Sequence, residues 1–275
     1  MKQVFIKILV STAIASSTLL WAGEYDDGMR AWDRQDYRLA KEKFLIAAEQ
    51  GNAGAQIRLG FISYYGLDTT IKNYTQALSW FKKAAENNNT DAQFLVGAMY
   101  LKAEGVVKDY KQVMYWHTKA AELGNAEAQT SVGRMYRDGL GVEQNNKQAV
   151  YWFIKAANQG EVDAQKNLGV MYLRGDGLVQ DNQQALSWFS KAAEQGDAEG
   201  QYRYGLMYLL GRGVTPNVVI GHMWLNLAAS NGHTKAYKAR DDLAKSAMTG
   251  QQIEQAQQMA KRCQMQKYKN CDKLN

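Results

Sequence analysis

The chain has 275 residues, 46% of them hydrophobic, and contains a single proline. All-β folds with many turns use more proline than this, so the composition favours helices over a β-sandwich or barrel. The formal net charge of +6 lies mostly at the two ends of the chain, and the nearly neutral remainder excludes a strongly basic body of the kind that binds nucleic acid.

The first 22 residues have the pattern of a secretory signal peptide. Lys2 and Lys7 give a charged start, residues 8–20 are uncharged and largely apolar, and Ala22 offers a cleavage site. The uncharged run is shorter than the ~20 residues that a membrane-spanning helix needs, which favours a cleaved signal over an uncleaved anchor. We therefore expect a periplasmic or secreted protein with no stable membrane insertion once the signal is removed.

Residues 23–51 predict a helical hairpin at the start of the folded chain. Phe44 lies 36 residues before Trp80, and the sequence Ala-Ala-Glu-Gln-Gly that ends at Gly51 returns in similar form at the end of later segments. The leading hairpin is therefore the first member of a repeating series.

A repeat of 36 residues runs through the centre of the chain. Its marker is a tryptophan at constant spacing: Trp80, Trp116, Trp152, Trp188 and Trp224. A glycine precedes each tryptophan by 19 residues, or by 20 in the first case: Gly60, Gly97, Gly133, Gly169 and Gly205. The period defines five repeats, residues 52–88, 89–124, 125–160, 161–196 and 197–232. Self-similarity at this period predicts a stack of supersecondary units.

The fourth repeat, 161–196, predicts two helices. Ala164 and Leu168 lie on one helical stripe, and Gly169 beside them costs about 1 kcal/mol relative to alanine, which predicts a neighbouring backbone too close for a Cβ atom. Asp181 starts a second helix, whose apolar face is Ala185, Trp188, Phe189, Ala192 and Ala193. Two helices cannot cover this face, so successive hairpins must stack. The tryptophans are expected in the core and not on a carbohydrate platform.

Residues 233–275 predict a C-terminal cap and a basic tail. A first helix is expected over 236–247, and Thr249 with Gln252 has capping-box spacing before a second, which completes a capping helix pair.

Cys263 and Cys271 are the only cysteines and lie eight positions apart. A straight helix would hold them too far apart to bond, so a disulfide requires the chain to turn back between them. In an oxidising compartment we favour this disulfide over a metal site built on two free thiols, because the tail has no histidine.

The motifs Ala-Gln, Leu-Gly-x-Met-Tyr, Gly-x-Gly-Val, Ala-x-x-Trp and Lys-Ala-Ala-x-x-Gly recur with the period, most completely in residues 125–160 and 161–196. Their combination resembles the Sel-one-like repeat, a relative of the tetratricopeptide repeat. The resemblance implies an all-α fold, an α/α right-handed superhelical solenoid of stacked helical hairpins, with a tetratricopeptide-like hairpin at 23–51. It also implies a protein that binds other proteins in a bacterial envelope or at a host interface. The fifth repeat departs from the motif at Gly221, and the chain lacks the paired cysteines of the family's cysteine-rich branch.

Positions one, five and eight after the repeated glutamine vary between repeats and share a helix face, which in the resembling family lines the concave side. They are Ile57, Phe61, Tyr64, Phe94, Ala98, Leu101, Thr130, Arg134, Arg137, Lys166, Val170, Leu173, Tyr202, Leu206 and Leu209. Apolar anchors flanked by cations suit a peptide groove. The candidates for partner binding are Phe61, Phe94, Arg134, Arg137, Lys166, Tyr202 and Leu206. We expect three of them, Arg134, Arg137 and Lys166, to form a basic centre that favours an acidic partner. The alternative is an unconstrained surface whose apolar members pack on the next hairpin.

The sequence gives little support for catalysis. Ser79 and Lys82 fit the Ser-x-x-Lys motif of penicillin-recognising acyl enzymes, but the companion Ser-Asp-Asn and Lys-Thr-Gly motifs do not occur. The cysteine-rich branch of the resembling family has been linked with β-lactam binding, which keeps an acyl-enzyme alternative open. His117, His222 and His233 lack metal partners at helical spacing and are expected on the surface. We predict a protein that is not an enzyme and uses no metal or cofactor.

The basic residues of 261–273 suggest one more alternative, binding to an anionic surface through the tail. Five cations and a single aromatic residue, Tyr268, are too few for much affinity, and export disfavours a nucleic acid. The expected partner is a protein or peptide, bound by a monomeric chain.

Overall fold

A computed structural model describes residues 23–69 and 71–274, so the predicted signal peptide lies outside the described residues. Every regular element in these ranges is helical. The elements are α1 (23–33), α2 (Tyr37–Glu49), α3 (Ala53–Tyr65), α4 (Tyr74–Glu86), α5 (Thr90–Lys102), α6 (Tyr110–Glu122), α7 (Ala126–Asp138), α8 (Asn146–Asn158), α9 (Val162–Arg174), α10 (Asn182–Ala193), α11 (Ala198–Leu210), α12 (Val218–Ser230), α13 (Thr234–Ala247), α14 (Gly250–Met265) and the 3-10 helix η1 (Cys271–Lys273).

The chain forms two compact bodies. The N-terminal body contains the described residues up to Ala128 together with Leu140–Val142, and the C-terminal body contains Gln129–Gly139 and the described residues from Glu143 onward. Within each body a helix packs against the helices before and after it in the sequence, as α3 does with α2 and α4, and as α11 does with α10 and α12. The prediction of an all-α fold built from stacked helical hairpins is confirmed within each body.

Asparagine and aspartate begin most of these helices. Their side chains accept hydrogen bonds from the backbone N–H groups of the first turn, which have no partner inside the helix. Asp181 begins α10 in this way, as predicted, and accepts from the N–H groups of Gln183 and Gln184. The predicted capping box is also confirmed, because the Thr249 hydroxyl accepts from the Gln252 N–H while the Gln252 side chain accepts from the Thr249 N–H.

A buried glutamine ties a hairpin to the one before it at four places in the chain, through Gln56, Gln93, Gln165 and Gln201. The side-chain amide of Gln93 in α5 donates to the carbonyl of Ala85 at 3.2 Å, at the end of α4. Gln165 in α9 makes the same bond to Ala157 at 3.4 Å. Because the last carbonyls of a helix have no partner within it, this bond supplies one in the interior. The repeated Ala-Gln motif therefore marks the junction between hairpins.

The repeated glycines are required for a reason other than the predicted one. A Cβ atom on Gly60, Gly133 or Gly169 would lie less than 3.0 Å from the ring of the phenylalanine that follows the repeat's tryptophan, and on Gly97 it would meet the His117 ring. Only Gly205 faces a backbone, the carbonyl of Gly221 at 3.0 Å. In four repeats, therefore, an aromatic ring from the second helix fills the space above the glycine, and the expected backbone contact is wrong.

We expect Gly169→Ala to lower the free energy of unfolding by about 1–2 kcal/mol, because the overpacking against Phe189 exceeds the gain in helix propensity. In a Phe189→Leu background the same change should cost less, since the ring that it meets is gone. Chemical denaturation of the wild type, both single variants and the double variant measures this coupling. An equal cost in both backgrounds would show that the ring is not the obstacle.

Four of the five repeated tryptophans are buried, with exposed fractions of 7% for Trp116, 8% for Trp152 and Trp188, and 1% for Trp224. Trp80 is partly exposed. A lysine three residues after the tryptophan lies over its ring in the first four repeats, with the Lys191 ammonium 3.8 Å from the centroid of Trp188. In these four repeats a lysine ammonium therefore covers one face of the indole.

The C-terminal segment folds against the fifth repeat. Cys263 and Cys271 form a disulfide with Cα atoms 5.2 Å apart, and the chain turns back between them through left-handed residues that include Lys267 and Tyr268. Beyond the turn, the carboxylate of Asp272 accepts hydrogen bonds from Tyr204 and Trp224. The tail is therefore a packed cap that keeps its lysines and arginines exposed.

Candidate partner-binding site

The first helices of the N-terminal body line a cavity of about 480 Å³. Its apolar wall contains Tyr25, Ile57, Phe61, Phe94 and Leu95. Ile57 and Phe61 lie on α3, and Phe94 and Leu95 lie on α5, so neighbouring hairpins contribute one wall each. The structure thus brings together Phe61 and Phe94, two of the predicted binding residues, with Tyr25 from the leading hairpin.

Neighbouring aromatic rings hold the two phenylalanines in place. Phe61 meets the Phe81 ring edge-on, with centroids 5.3 Å apart, and stacks on Tyr65 at 6.1 Å. Phe94 stacks on His117 with centroids 4.8 Å apart, and the Nε2 atom of His117 lies 3.1 Å from the Phe94 carbonyl oxygen. Since both anchors are fixed before any partner arrives, binding would not have to order them.

Two of the three histidines are buried, contrary to expectation, and His233 is partly buried. His117 is 1% exposed and occupies the slot held by phenylalanine in three other repeats. His222 is 2% exposed, and burial lowers its pKa. His233 accepts the hydrogen bond of the Ala236 N–H at the start of α13. Each of them supports the fold, and no group of described histidine, cysteine or acidic side chains is placed to hold a metal ion.

A smaller cavity of about 130 Å³ adjoins the first and shares Phe61 and Leu95 with it. Tyr64 lies on its wall, and its hydroxyl donates to the two carboxylate oxygens of Glu104 at 2.9 and 2.8 Å. Burial, together with this bond, raises the pKa of Tyr64 to about 12. Tyr64 is therefore a fixed donor to Glu104 and extends the aromatic surface of the N-terminal body beyond the first cavity.

In the C-terminal body, aspartates lie beside the members of the predicted basic centre. Lys166 lies 2.9 Å from Asp163 and 3.1 Å from Asp197. Arg134 lies 3.9 Å from the same Asp163. Partial burial lowers the pKa of Lys166, but its hydrogen bonds to the two aspartates outweigh that effect and leave the pKa above its ordinary value. Lys166 and Arg134 therefore share Asp163 as a counter-ion.

Arg137, the third member, binds Asp138, with its Nε atom 2.7 Å from one carboxylate oxygen and Nη2 2.9 Å from the other. That hydrogen bonding lowers the pKa of Asp138. The forked pair keeps the guanidinium on its neighbour in the sequence, so its charge is already compensated.

The position after the repeated glutamine connects neighbouring hairpins in the C-terminal body. The Thr130 hydroxyl donates to Glu161 at 3.0 Å, and the Lys166 ammonium donates to Asp197 at 3.1 Å. Tyr202 stacks on His233 with centroids 4.3 Å apart. Each partner is the residue that begins the next first helix. Lys166 and Tyr202 thus have structural contacts, while Leu206 remains partly exposed on α11.

Ser79 and Lys82 lie on α4, but no hydrogen bond joins them in the structure. Ser79 is exposed, and the Lys82 ammonium donates to the Tyr100 hydroxyl at 2.9 Å. An acyl enzyme requires a serine activated by a nearby base. Lys82 is engaged elsewhere and does not supply one.

The cavity of the N-terminal body also carries charges that the sequence analysis missed. Asp91 and Glu127 line it, and so does Arg58, whose guanidinium lies over the Trp32 ring at 4.8 Å. Both acids stand two residues before a repeated glutamine, a slot that the alignment of the repeats could have revealed.

Of the described helices, none is long and apolar enough to cross a bilayer.

The chain matches a family model and is similar to solved structures. Six segments match the family described as the Sel1 repeat: residues 22–52, 53–89, 90–125, 126–161, 162–197 and 198–233. The structure is similar to a protective antigen of uropathogenic Escherichia coli that displays an SLR fold, with a TM-score of 0.80 and 36% identity over 93% of this chain and 56% of that one. It is also similar to a Sel1 repeat protein from Oxalobacter formigenes, with a TM-score of 0.77 and 28% identity over 86% of this chain and 99% of that one.

A curated relative is the ERAD-associated E3 ubiquitin-protein ligase component HRD3A of Arabidopsis thaliana, 34% identical over 58 residues. That match covers 21% of this chain and 9% of HRD3A. The chain thus spans about half the length of the antigen and a small part of HRD3A.

Proposed function

The chain belongs to the Sel1 repeat family, and from this premise we propose that it is an exported scaffold that binds a protein or peptide partner on the first helices of its hairpins. Sel1 repeats mediate protein–protein interactions and form a non-catalytic helical scaffold. Binding to such a scaffold needs exposed apolar anchors in a preformed depression. The cavity in the N-terminal body, with Phe61 and Phe94 fixed in its wall, is the observation that carries the proposal.

Export is supported by two features. The signal pattern of residues 1–22 is typical of a secreted protein, and the Cys263–Cys271 disulfide suits an oxidising compartment such as the periplasm or the cell exterior. The likeness to a protective antigen of uropathogenic Escherichia coli is consistent with an exposed location. We place the protein in the periplasm or outside the cell, as a monomer that uses no cofactor.

Affinity capture with the full chain from envelope and host extracts tests the proposal. We expect the wild type to retain a partner protein. The amount retained should fall at least about tenfold in the Ile57→Glu variant, because that change puts an unpaired charge in the apolar wall of the cavity. Phe94→Ala should weaken capture as well, through loss of an anchor.

Leu123→Glu is the matched control for capture, because Leu123 is 55% exposed and does not line the cavity. Circular dichroism must show that each variant keeps its helical content. A partner that folded Ile57→Glu and Phe94→Ala variants retain at the wild-type level would show that the cavity is not its site.

A further inference from the structure

Four repeats carry an acidic residue two positions before the buried glutamine: Asp91, Glu127, Asp163 and Glu199. A negative charge in the first turn of a helix is favourable in all four. The four repeats differ in whether a cation pairs with this carboxylate. A carboxylate that is paired has a structural role, whereas an unpaired carboxylate can contact a ligand.

In the C-terminal body both acids are paired. Asp163 lies 2.9 Å from the Lys166 ammonium, three residues further along the chain. Glu199 lies 2.5 Å from Arg203 and 2.7 Å from the Nε2 atom of His233. Neighbouring side chains therefore compensate the charge of this slot.

In the N-terminal body both acids are exposed and form no ion pair with any described residue. Where the fourth repeat has Lys166 after Asp163, the second repeat has Phe94 after Asp91. The pairing cation has thus been replaced by an aromatic residue, and both Asp91 and Phe94 line the same cavity. Two uncompensated carboxylates consequently stand beside an apolar wall.

We propose, resting on the function proposed above, that this cavity binds a peptide segment in which a bulky apolar side chain is flanked by lysine or arginine. The apolar side chain would enter between Phe61 and Phe94, and the cation would lie near Asp91 and Glu127. A volume of about 480 Å³ falls within the usual range of binding pockets, about 300–1,000 Å³.

Charge decides between a basic and an acidic partner. The cavity lining holds two carboxylates against one guanidinium, that of Arg58, which already lies over the Trp32 ring. A cationic segment gains attraction from both carboxylates and from the faces of the aromatic rings, whereas an acidic segment is repelled. The peptide partner is therefore basic, opposite to the acidic partner expected from Arg134, Arg137 and Lys166.

Fluorescence anisotropy with the full chain and three matched peptides tests this proposal. Each peptide carries one phenylalanine, flanked by lysines, by glutamines or by glutamates. We expect the lysine peptide to bind about tenfold more tightly than the glutamine peptide and the glutamate peptide to bind most weakly. The preference should shrink as the salt concentration is raised from about 50 to about 500 mM.

The double variant Asp91→Asn, Glu127→Gln should abolish most of the preference for lysine while it still binds the glutamine peptide. Glu86→Gln, Glu122→Gln is its matched control, because it removes two exposed carboxylates from the second helices α4 and α6 of the same body. This control should keep the full preference.

Equal affinity for the three peptides, the same preference in both double variants, or no binding of any peptide would each overturn the proposal. Failure of the basic-peptide proposal can be distinguished from failure of the proposed scaffold function. A captured partner that is lost with Ile57→Glu but kept by Asp91→Asn, Glu127→Gln would leave the scaffold in place and refute the basic segment.

Discussion

Trp152→Ala is expected to lower the free energy of unfolding by about 3–5 kcal/mol, the range for truncating a large buried aromatic side chain. Trp152 is 8% exposed, meets Tyr151 edge-on with centroids 5.2 Å apart, and has the Lys155 ammonium 5.1 Å above its ring. Alanine removes the ring, its packing and the surface that the lysine covers. Because each repeat contacts only its neighbours, the loss should also weaken the stacking of the third repeat against the fourth.

Urea denaturation followed by circular dichroism measures this effect, with Tyr151→Ala as the control. Tyr151 is an aromatic residue of the same helix and adjoins Trp152, but its exposed fraction is 48%. Its loss should cost less than about 1 kcal/mol, since surface substitutions usually have small effects. Similar losses for the two variants would show that burial of the indole does not stabilise the array.

The period of the sequence was enough to predict the helical hairpins, because tryptophan, glycine and alanine recur in register over five repeats. It could not show what lies opposite each glycine. A missing Cβ is equally compatible with a nearby backbone and with a nearby ring, and only the structure places Phe189 over Gly169. Alignment of the repeats could have predicted the burial of His117, because it follows Trp116 as Phe153 follows Trp152.

The counter-ions of the predicted basic centre give a second example. The prediction for Arg134 and Lys166 rests on the variable positions after the repeated glutamine. Their shared counter-ion, Asp163, lies at a different position of the repeat, two residues before the glutamine. An ion pair between successive repeats joins residues about one period apart. Helical spacing within α9 could have revealed the Asp163–Lys166 pair, whereas the Arg134–Asp163 and Lys166–Asp197 pairs require alignment of the repeats by slot.

The C-terminal cap lies outside the repeating pattern, so no internal comparison could predict its contacts. Spacing alone left the Cys263–Cys271 disulfide as one of two alternatives, and nothing in the sequence connected Asp272 with the fifth repeat. In the structure, Asp272 is the acceptor for two donors of the last core cluster, the hydroxyl of Tyr204 and the indole N–H of Trp224.

The geometry around Asp272 explains why a single carboxylate should contribute to the stability of the fold. Tyr204 is 4% exposed and Trp224 is 1% exposed, so neither donor can turn to water. Burial, and then the charge of Asp272, raises the pKa of Tyr204 above its ordinary value, which keeps the hydroxyl protonated as a donor. The turn that brings Asp272 into place contains left-handed residues other than glycine, a conformation that costs free energy and must be held by contacts.

Asp272→Ala is therefore expected to lower the free energy of unfolding by about 2–4 kcal/mol, because it removes the carboxylate acceptor of two buried donors. Asp272→Asn should cost less, since the amide oxygen can still accept one bond. Asp242→Ala, at an exposed position of α13, is the control and should change the stability by less than about 0.5 kcal/mol. Thermal and urea denaturation of the oxidised proteins give these values.

Reduction of the Cys263–Cys271 disulfide should also destabilise the C-terminal cap. Opening the short loop between Cys263 and Cys271 costs about 2–3 kcal/mol in the loop-entropy model. If the disulfide and Asp272 hold one segment against the fifth repeat, reduction will destabilise Asp272→Ala less than it destabilises the wild type, because the cap is already detached. Strictly additive losses would contradict a shared role and would assign Asp272 a purely local effect on Tyr204 and Trp224.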